Sequence, residues 1–302
     1  MKARIYYFTG SGNSLAVARD IAGGIVAEVI SIPSVIGQKT IKADIDTMGI
    51  IFPVYQQGLP LIVRRFVEKL DDLSGIYVFA VCTCEGGPAL SLKYLQNHLK
   101  ERNGELAGGF GVLMPYNYIS PASLKNFYSS FALRPTPPGI QQIMFSNCQK
   151  QVKQICDYVS QRQTGRIDTK AYLVESLLDA LNLRNIMQKP VWLKAAGISE
   201  RIEEPFPDCI RWMDQGFRVL ESCISCGVCS RICPARSIDM KEGKPHWNHQ
   251  CEQCFACLQW CPSGSIQFGN HPVRSKRYHH PGITLEDMLQ SSQTINKGVT
   301  GK

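Results

Sequence analysis

Eight cysteines carry the densest chemical signal in this chain of 302 residues. Cys223, Cys226 and Cys229 are spaced Cys-x2-Cys-x2-Cys, and Cys233 follows with Pro234 behind it. The pattern returns 28 positions later as Cys251, Cys254, Cys257 and Cys261, the last followed by Pro262. Such a repeat twice sets three soft thiolates on one tight loop with a fourth at a short remove. Four thiolates at tetrahedrally disposed irons are what a 4Fe-4S cube requires, and the loop's backbone N–H groups can face the inorganic sulfides. Zinc is a competing reading, but zinc is ordinarily held by paired Cys-x2-Cys units. A disulfide framework needs a secreted chain, and no signal-peptide pattern opens this one.

A second constellation lies near the N-terminus. Residues 5–8 are a short apolar run ending in Thr9, Gly10, Ser11, Gly12, Asn13 and Ser14, after which Leu15, Ala16, Ala18, Ile21 and Ala22 recur at helical spacing. This reads as strand, phosphate loop, helix. Glycines let successive N–H groups converge on an anion, the helix N-terminus adds a favourable dipole, and the hydroxyls donate further. The lysine of a P-loop and the third glycine of a dinucleotide fingerprint are both missing, so neither motif is expected. A bare capped turn is the alternative.

The elements that must position these groups follow from periodicity. Further strands are expected at 27–32, 47–54, 76–82 and 108–114, with helices between them at 61–70 and 89–102. That spacing predicts an α/β domain built on a five-stranded, doubly wound parallel sheet, whose ligands sit beyond the carboxyl ends of the strands. The loops there supply the remaining cofactor candidates. One is Pro53, Val54, Tyr55 and Gln56, where Tyr55 can stack on a flat ring or simply pack. Another is Thr83, Cys84, Glu85, Gly86 and Gly87, whose glycines permit close backbone approach. Cys82 and Cys84 invite a redox reading, but Cys-x-Cys is not Cys-x2-Cys and strand ends commonly carry buried thiols. The third loop carries Asn117 inside a Pro-Tyr-Asn-Tyr turn. It runs over 116–139, long for a connection and aromatic, which suits a cover over the site or a contact with the second domain.

A long amphipathic helix through Ile140, Ile143, Met144, Val152, Ile155 and Val159 should complete the first domain. The expected organisation is residues 1–164 as this domain and 165–212 as a helical connector. Residues 213–270 then form a small α+β cluster domain, and 271–302 a tail. Hydrophobic residues make up 44% of the chain, enough for a sizeable core, and no run of about 18 apolar residues offers a membrane span. The remaining cysteines, Cys82, Cys84, Cys148, Cys156 and Cys209, show no regular spacing and read as buried or free thiols in a cytoplasmic, reducing setting. The net charge is +8, yet residues 213–270 sum to zero while the tail carries +3. Only Arg274, Lys276 and Arg277 approach a nucleic-acid stripe, so nucleic acid is not an expected partner and the tail reads as solvated or as a patch for an acidic protein. His279 and His280 lack a third ligand nearby and read as a surface turn before Pro281.

The cysteine segment resembles bacterial-type two-cluster ferredoxins with every ligand position filled. In those proteins the proline-followed cysteine of each run ligates the other cluster. The resemblance therefore implies one cube on Cys223, Cys226, Cys229 and Cys261, and another on Cys251, Cys254, Cys257 and Cys233. The hydroxyl-rich loop resembles that of flavodoxins, which hold the FMN phosphate in this way. Taken whole, and including Met114 to Tyr118 and Arg277 to Pro281, the chain resembles the EFR-type flavodoxin–ferredoxin fusion proteins of anaerobes. The resemblance implies two 4Fe-4S clusters and FMN in an electron-transfer protein that converts between one- and two-electron carriers. Its partners would be redox proteins, and the chain can act alone or as a homodimer. An iron–sulfur flavoenzyme reducing a small substrate is the alternative; Glu85 is the sole acidic group in the flavin loops. A redox sensor would need an effector domain, and none is visible.

Overall fold

The computed structural model describes residues 2–55, 58–115, 136–168, 177, 186, 188–269 and 277–293. The chain opens with β1 (Ala3–Tyr7), α1 (Asn13–Ile25), β2 (Glu28–Ser31) and α2 (Ile32–Val35). It continues with β3 (Thr47–Pro53), α3 (Leu61–Glu68), β4 (Tyr77–Cys84), α4 (Ser91–Lys100), β5 (Leu106–Leu113), α5 (Pro138–Ser160) and β6 (Arg166–Ile167). The strands form one sheet in the order β2-β1-β3-β4-β5-β6, and every pairing is parallel. β4 is buried along its whole length and β3 at every residue but Pro53. Burial on both faces is why these central strands read as near-continuous apolar runs. The order 2-1-3-4-5 is the flavodoxin-like doubly wound topology, and its crevice opens where the order reverses, between β1 and β3.

Five strands were expected, and a sixth is present. β6 is only two residues long, pairing Gly108 with Arg166 and Gly109 with Ile167, so it has no periodicity to read. Tyr158 fixes it from α5, accepting from the Arg166 N–H at 3.0 Å and donating to the Ala107 carbonyl at 3.1 Å. The strand covers an edge of β5 that would otherwise present unpaired groups.

The second part comprises α6 (Lys189–Ala196), α7 (Phe206–Ile210), β7 (Phe217–Val219), α8 (Val228–Ile232), β8 (Ile238–Lys241), β9 (Lys244–Trp247), α9 (Ala256–Gln259), β10 (Ile266–Phe268) and α10 (Leu285–Ser292). β7 pairs antiparallel with β10, and β8 with β9. Phe217, Phe255 and Phe268 pack edge to face with centroids 5.1 to 5.9 Å apart, and Trp192 from α6 lies beside Phe255 and Phe268. This is a small ferredoxin-type domain with its own aromatic core.

The two parts also share buried surface. Ile232, Cys254, Ala256, Trp260, Ile283, Met288 and Leu289 belong to the same continuous core as the parallel sheet. Of the helical connector expected over 165–212, residues 169–176, 178–185 and 187 lie outside the described residues. The long loop 116–139 is described only at 136–139. No described helix is long and apolar enough to cross a membrane.

Candidate functional site

The two cysteine loops adopt one conformation twice. Ser225 and Gly227 lie at φ +56° and +68°, and the corresponding Gln253 and Phe255 at +50° and +56°. Successive N–H groups around left-handed residues form a concave nest of the kind that receives anions and iron–sulfur clusters. A short helix begins one residue before each third cysteine and contains it, α8 starting at Val228 and α9 at Ala256. Backbone N–H groups also reach the sulfurs. Gln253 donates to Cys251 Sγ at 3.2 Å and Ser237 to Cys233 Sγ at 3.4 Å.

The grouping of the cysteines follows tertiary proximity. Cys223, Cys226, Cys229 and Cys261 line one cavity, with Met240, Pro245 and Ile266 as its apolar wall. Cys233 instead lies within electrostatic reach of Cys254 and Cys257, and Cys251 of the same two. Burial pushes the Cys229 thiol up to about 11 and that of Cys254 up to about 12. Ionising either therefore calls for a cation, and metal uptake must release the protons. Among the described residues no three His, Cys, Asp or Glu side chains converge on a point where a single metal ion would sit. Four thiols around one cavity are a donor set that suits a cube.

The phosphate loop runs between β1 and α1. Gly12 is left-handed at φ +97°, and its N–H donates to Thr9 Oγ1 at 3.0 Å. Thr9, Ser11, Asn13 and Ser14 are all buried. The leading N–H groups of α1 have no intrahelical acceptor by construction. Ser14 Oγ and Thr83 Oγ1 share a hydrogen bond of 2.8 Å, and Asn13 Nδ2 donates to the Pro115 carbonyl at 2.7 Å. The Val54 N–H donates to the Thr83 carbonyl at 2.9 Å. The structure thus gathers the expected loops at the carboxyl ends of β1, β3, β4 and β5. Gly86 is open, with nothing within 4 Å of where a Cβ would stand, and Glu85 is exposed. Gln56 and Asn117 lie outside the described residues.

Tyr55 sets its ring edge-on to Phe8 at 5.9 Å, and burial raises its phenol well above the usual range. Its hydroxyl is buried without a partner among the described residues. That orphaned polar atom overlooks the loop, since a Cβ on Gly10 would come within 2.6 Å of it. Loop, helix terminus and unpaired hydroxyl fit a bound phosphate ester. Cys82 and Cys84 are spent on the sheet, donating to the Phe110 and Val112 carbonyls at 3.5 and 3.7 Å, and burial raises the Cys82 thiol well above its usual range.

The two sites touch. A Cβ on Gly10 would also lie 2.6 Å from the Cys254 carbonyl, so only glycine allows this approach. Trp260, next to Cys261, donates from Nε1 to the Gly10 carbonyl at 3.0 Å. Glu252, between Cys251 and Cys254, accepts from the Ile62 N–H at 2.8 Å at the start of α3 and pairs with Arg65. Sequence reasoning passed over Trp260 and Glu252, whose partners lie 250 and 190 residues away along the chain. The only local hint was their position inside the second repeat.

Residues 216–262 match the 4Fe-4S dicluster domain family. No curated protein matches the chain. Among solved structures, a putative flavoprotein from Bacteroides uniformis is 18% identical over 42% of this chain and 96% of its own, with a TM-score of 0.31. A flavodoxin from the domain Archaea is 15% identical over 53% and 99%, at 0.33. An FMN-dependent NADH-azoreductase from Bacillus anthracis is 12% identical over 53% and 99%, at 0.35. The fold assignment rests on the strand order given above.

Proposed function

We propose that this chain is an iron–sulfur flavoprotein for electron transfer, passing electrons between two 4Fe-4S clusters and FMN on behalf of redox partner proteins. The observation that carries the reading is the approach of the Cys254 carbonyl to Gly10, which sets the second cysteine loop directly on the phosphate loop. Bound FMN supplies one- and two-electron chemistry beside one-electron clusters, which makes the pairing a converter between carrier types.

The chain's own residues do the holding. Thr9, Gly10, Ser11, Gly12, Asn13 and Ser14 receive the FMN phosphate. Pro53, Val54 and Tyr55, with Thr83 to Gly87, would border the ring, and Gln56 and Asn117 are the sequence candidates beside them. Cys223, Cys226, Cys229 and Cys261 hold one cube, and Cys251, Cys254, Cys257 and Cys233 the other. The buried core shared by the two parts keeps water from the junction. Residues 1–164 serve as the flavin domain and 213–270 as the cluster domain. Residues 165–212 connect them, and the tail follows from 271.

The test is anaerobic reconstitution of the full chain. Mass spectrometry of the released flavin should give FMN and not FAD, because the loop encloses a terminal monophosphate. After rapid reduction of the clusters, the flavin should be reduced at a rate independent of protein concentration. A rate rising linearly with concentration would sink the intramolecular route.

A further inference from the structure

Three donors reach the phosphate loop from the iron–sulfur side of the molecule. Trp260 Nε1 donates to the Gly10 carbonyl at 3.0 Å, the His280 N–H to the Ser11 carbonyl at 2.9 Å, and Tyr278 Oη to Asn13 Oδ1 at 2.7 Å. Their carriers are tied to one another. The His279 ring stacks on Trp260 at 3.9 Å and 12°, and the Tyr278 N–H donates to Gln259 Oε1 at 3.0 Å. Arg277 anchors the segment by donating to the Gly264 and Ile266 carbonyls. Ile283 closes over the left-handed Gly12, where an added Cβ would meet its side chain at 3.0 Å.

These contacts constrain the loop in one sense. The C=O and N–H of a trans peptide unit point in opposite directions, and no described peptide bond is cis. Holding the Gly10 carbonyl on Trp260 therefore turns the Ser11 N–H the other way. Holding the Ser11 carbonyl on His280 likewise sets the Gly12 N–H, which is found on Thr9 Oγ1. The acceptors of the loop are fixed from the C-terminal side, and its donors are thereby pre-set on the opposite side.

We infer that Trp260 and the strap 277–283 are positioning residues of the flavin site, so that strap docking and FMN binding share one coupling free energy. This rests on the reading of Thr9 to Ser14 as the FMN phosphate loop. The coupling is reciprocal: whatever the docked strap adds to FMN affinity, bound FMN returns to strap docking. Neither Trp260 nor Tyr278 needs to touch the flavin for this to hold.

The experiment uses the full chain with clusters reconstituted anaerobically, comparing wild type, Tyr278→Phe and Trp260→Phe at equal iron content. FMN dissociation constants come from flavin fluorescence, and hydrogen exchange is followed over residues 277–283 with and without FMN. Each variant should bind FMN about fivefold more weakly, the loss expected of one net hydrogen bond. FMN should slow strap exchange in wild type more than in Tyr278→Phe. Equal affinities across the three proteins, or strap exchange in wild type indifferent to FMN, would overturn the coupling and leave the cofactor reading standing. A wild-type protein that binds no FMN would overturn both.

Discussion

In the first cysteine repeat the residue after the leading cysteine is Ile224, an apolar side chain left 64% exposed, whereas the second repeat has Glu252, a carboxylate only 5% exposed. Two positions before the third cysteine the first repeat has Gly227, with open space around it, and the second has Phe255, packed among aromatic rings. Spacing and backbone are shared, yet at the Ile224 and Glu252 position burial runs against residue type in both repeats. The reason is what each loop faces. The second repeat is pressed between the aromatic core and the phosphate loop, where Glu252 meets Arg65 and the first turn of α3. The first repeat keeps Cys226 exposed, and its contact with the remainder is the helix α8, whose Ile232 carbonyl accepts from Ser292 Oγ at 2.9 Å. The second cysteine loop thus adjoins the loop from Thr9 to Ser14, and the first adjoins solvent.

The hardest test of that division is the cluster assignment. Cys233→Ser should cost the cube held by the second repeat and Cys261→Ser the cube held by the first, each lowering iron from about eight to about four per chain. Cluster-resolved spectra that showed each variant losing the cube of its own repeat would break the crossed arrangement.

Next in size is Phe255→Ala. Emptying the aromatic core should destabilise the cluster domain by about 3 to 5 kcal/mol, with no relief of backbone strain because alanine keeps the Cβ that the left-handed conformation burdens. The matched change Gly227→Ala meets open space but the same left-handed strain, and should cost only about 1 kcal/mol. Urea unfolding of both variants gives the ratio, and equal losses would remove the distinction between inner and outer loop.

Glu252→Gln keeps the shape and the hydrogen bond from the Ile62 N–H but loses the charge facing Arg65. Since Arg65 is 44% exposed, the loss should fall at or below the lower end of the roughly 1.5 to 3 kcal/mol seen for charged hydrogen bonds. It should appear as faster exchange at the start of α3, with both cubes retained. Smallest of all is Ile224→Gln, an exposed substitution expected within about 0.5 kcal/mol of wild type. Any effect should be confined to the rate of electron exchange with an added partner protein.

Much of this architecture is legible in the chain alone. The ligand spacing is local, because three sulfurs on one loop are set by two-residue gaps, and the second copy of the pattern makes accident implausible. The parallel strands announce themselves because burial on both faces demands apolar runs such as Val78 to Cys82. The loop from Thr9 to Ser14 is legible as the turn from β1 into α1, since glycines and hydroxyls stand between an apolar run and a helical pattern. What escaped has no local pattern. β6 is two residues, defined only by pairing with β5, and Tyr158 fixes it from another element. Trp260 reads as one more aromatic near a cysteine, and Tyr278 and His280 as parts of a turn.

The difference is one of range. Residue type and short spacing determined which ligands this protein carries and which loop suits a phosphate, because those demands are met within a few residues. Only the tertiary structure decided that Cys261 lines one cavity with Cys223, Cys226 and Cys229, that Glu252 is buried and Ile224 is not, and that Trp260 and the C-terminal segment close on Gly10, Ser11 and Asn13. Each of those outcomes depends on a partner more than 30 residues away, whose approach is governed by the packing of whole elements, and packing leaves no period in the chain to read.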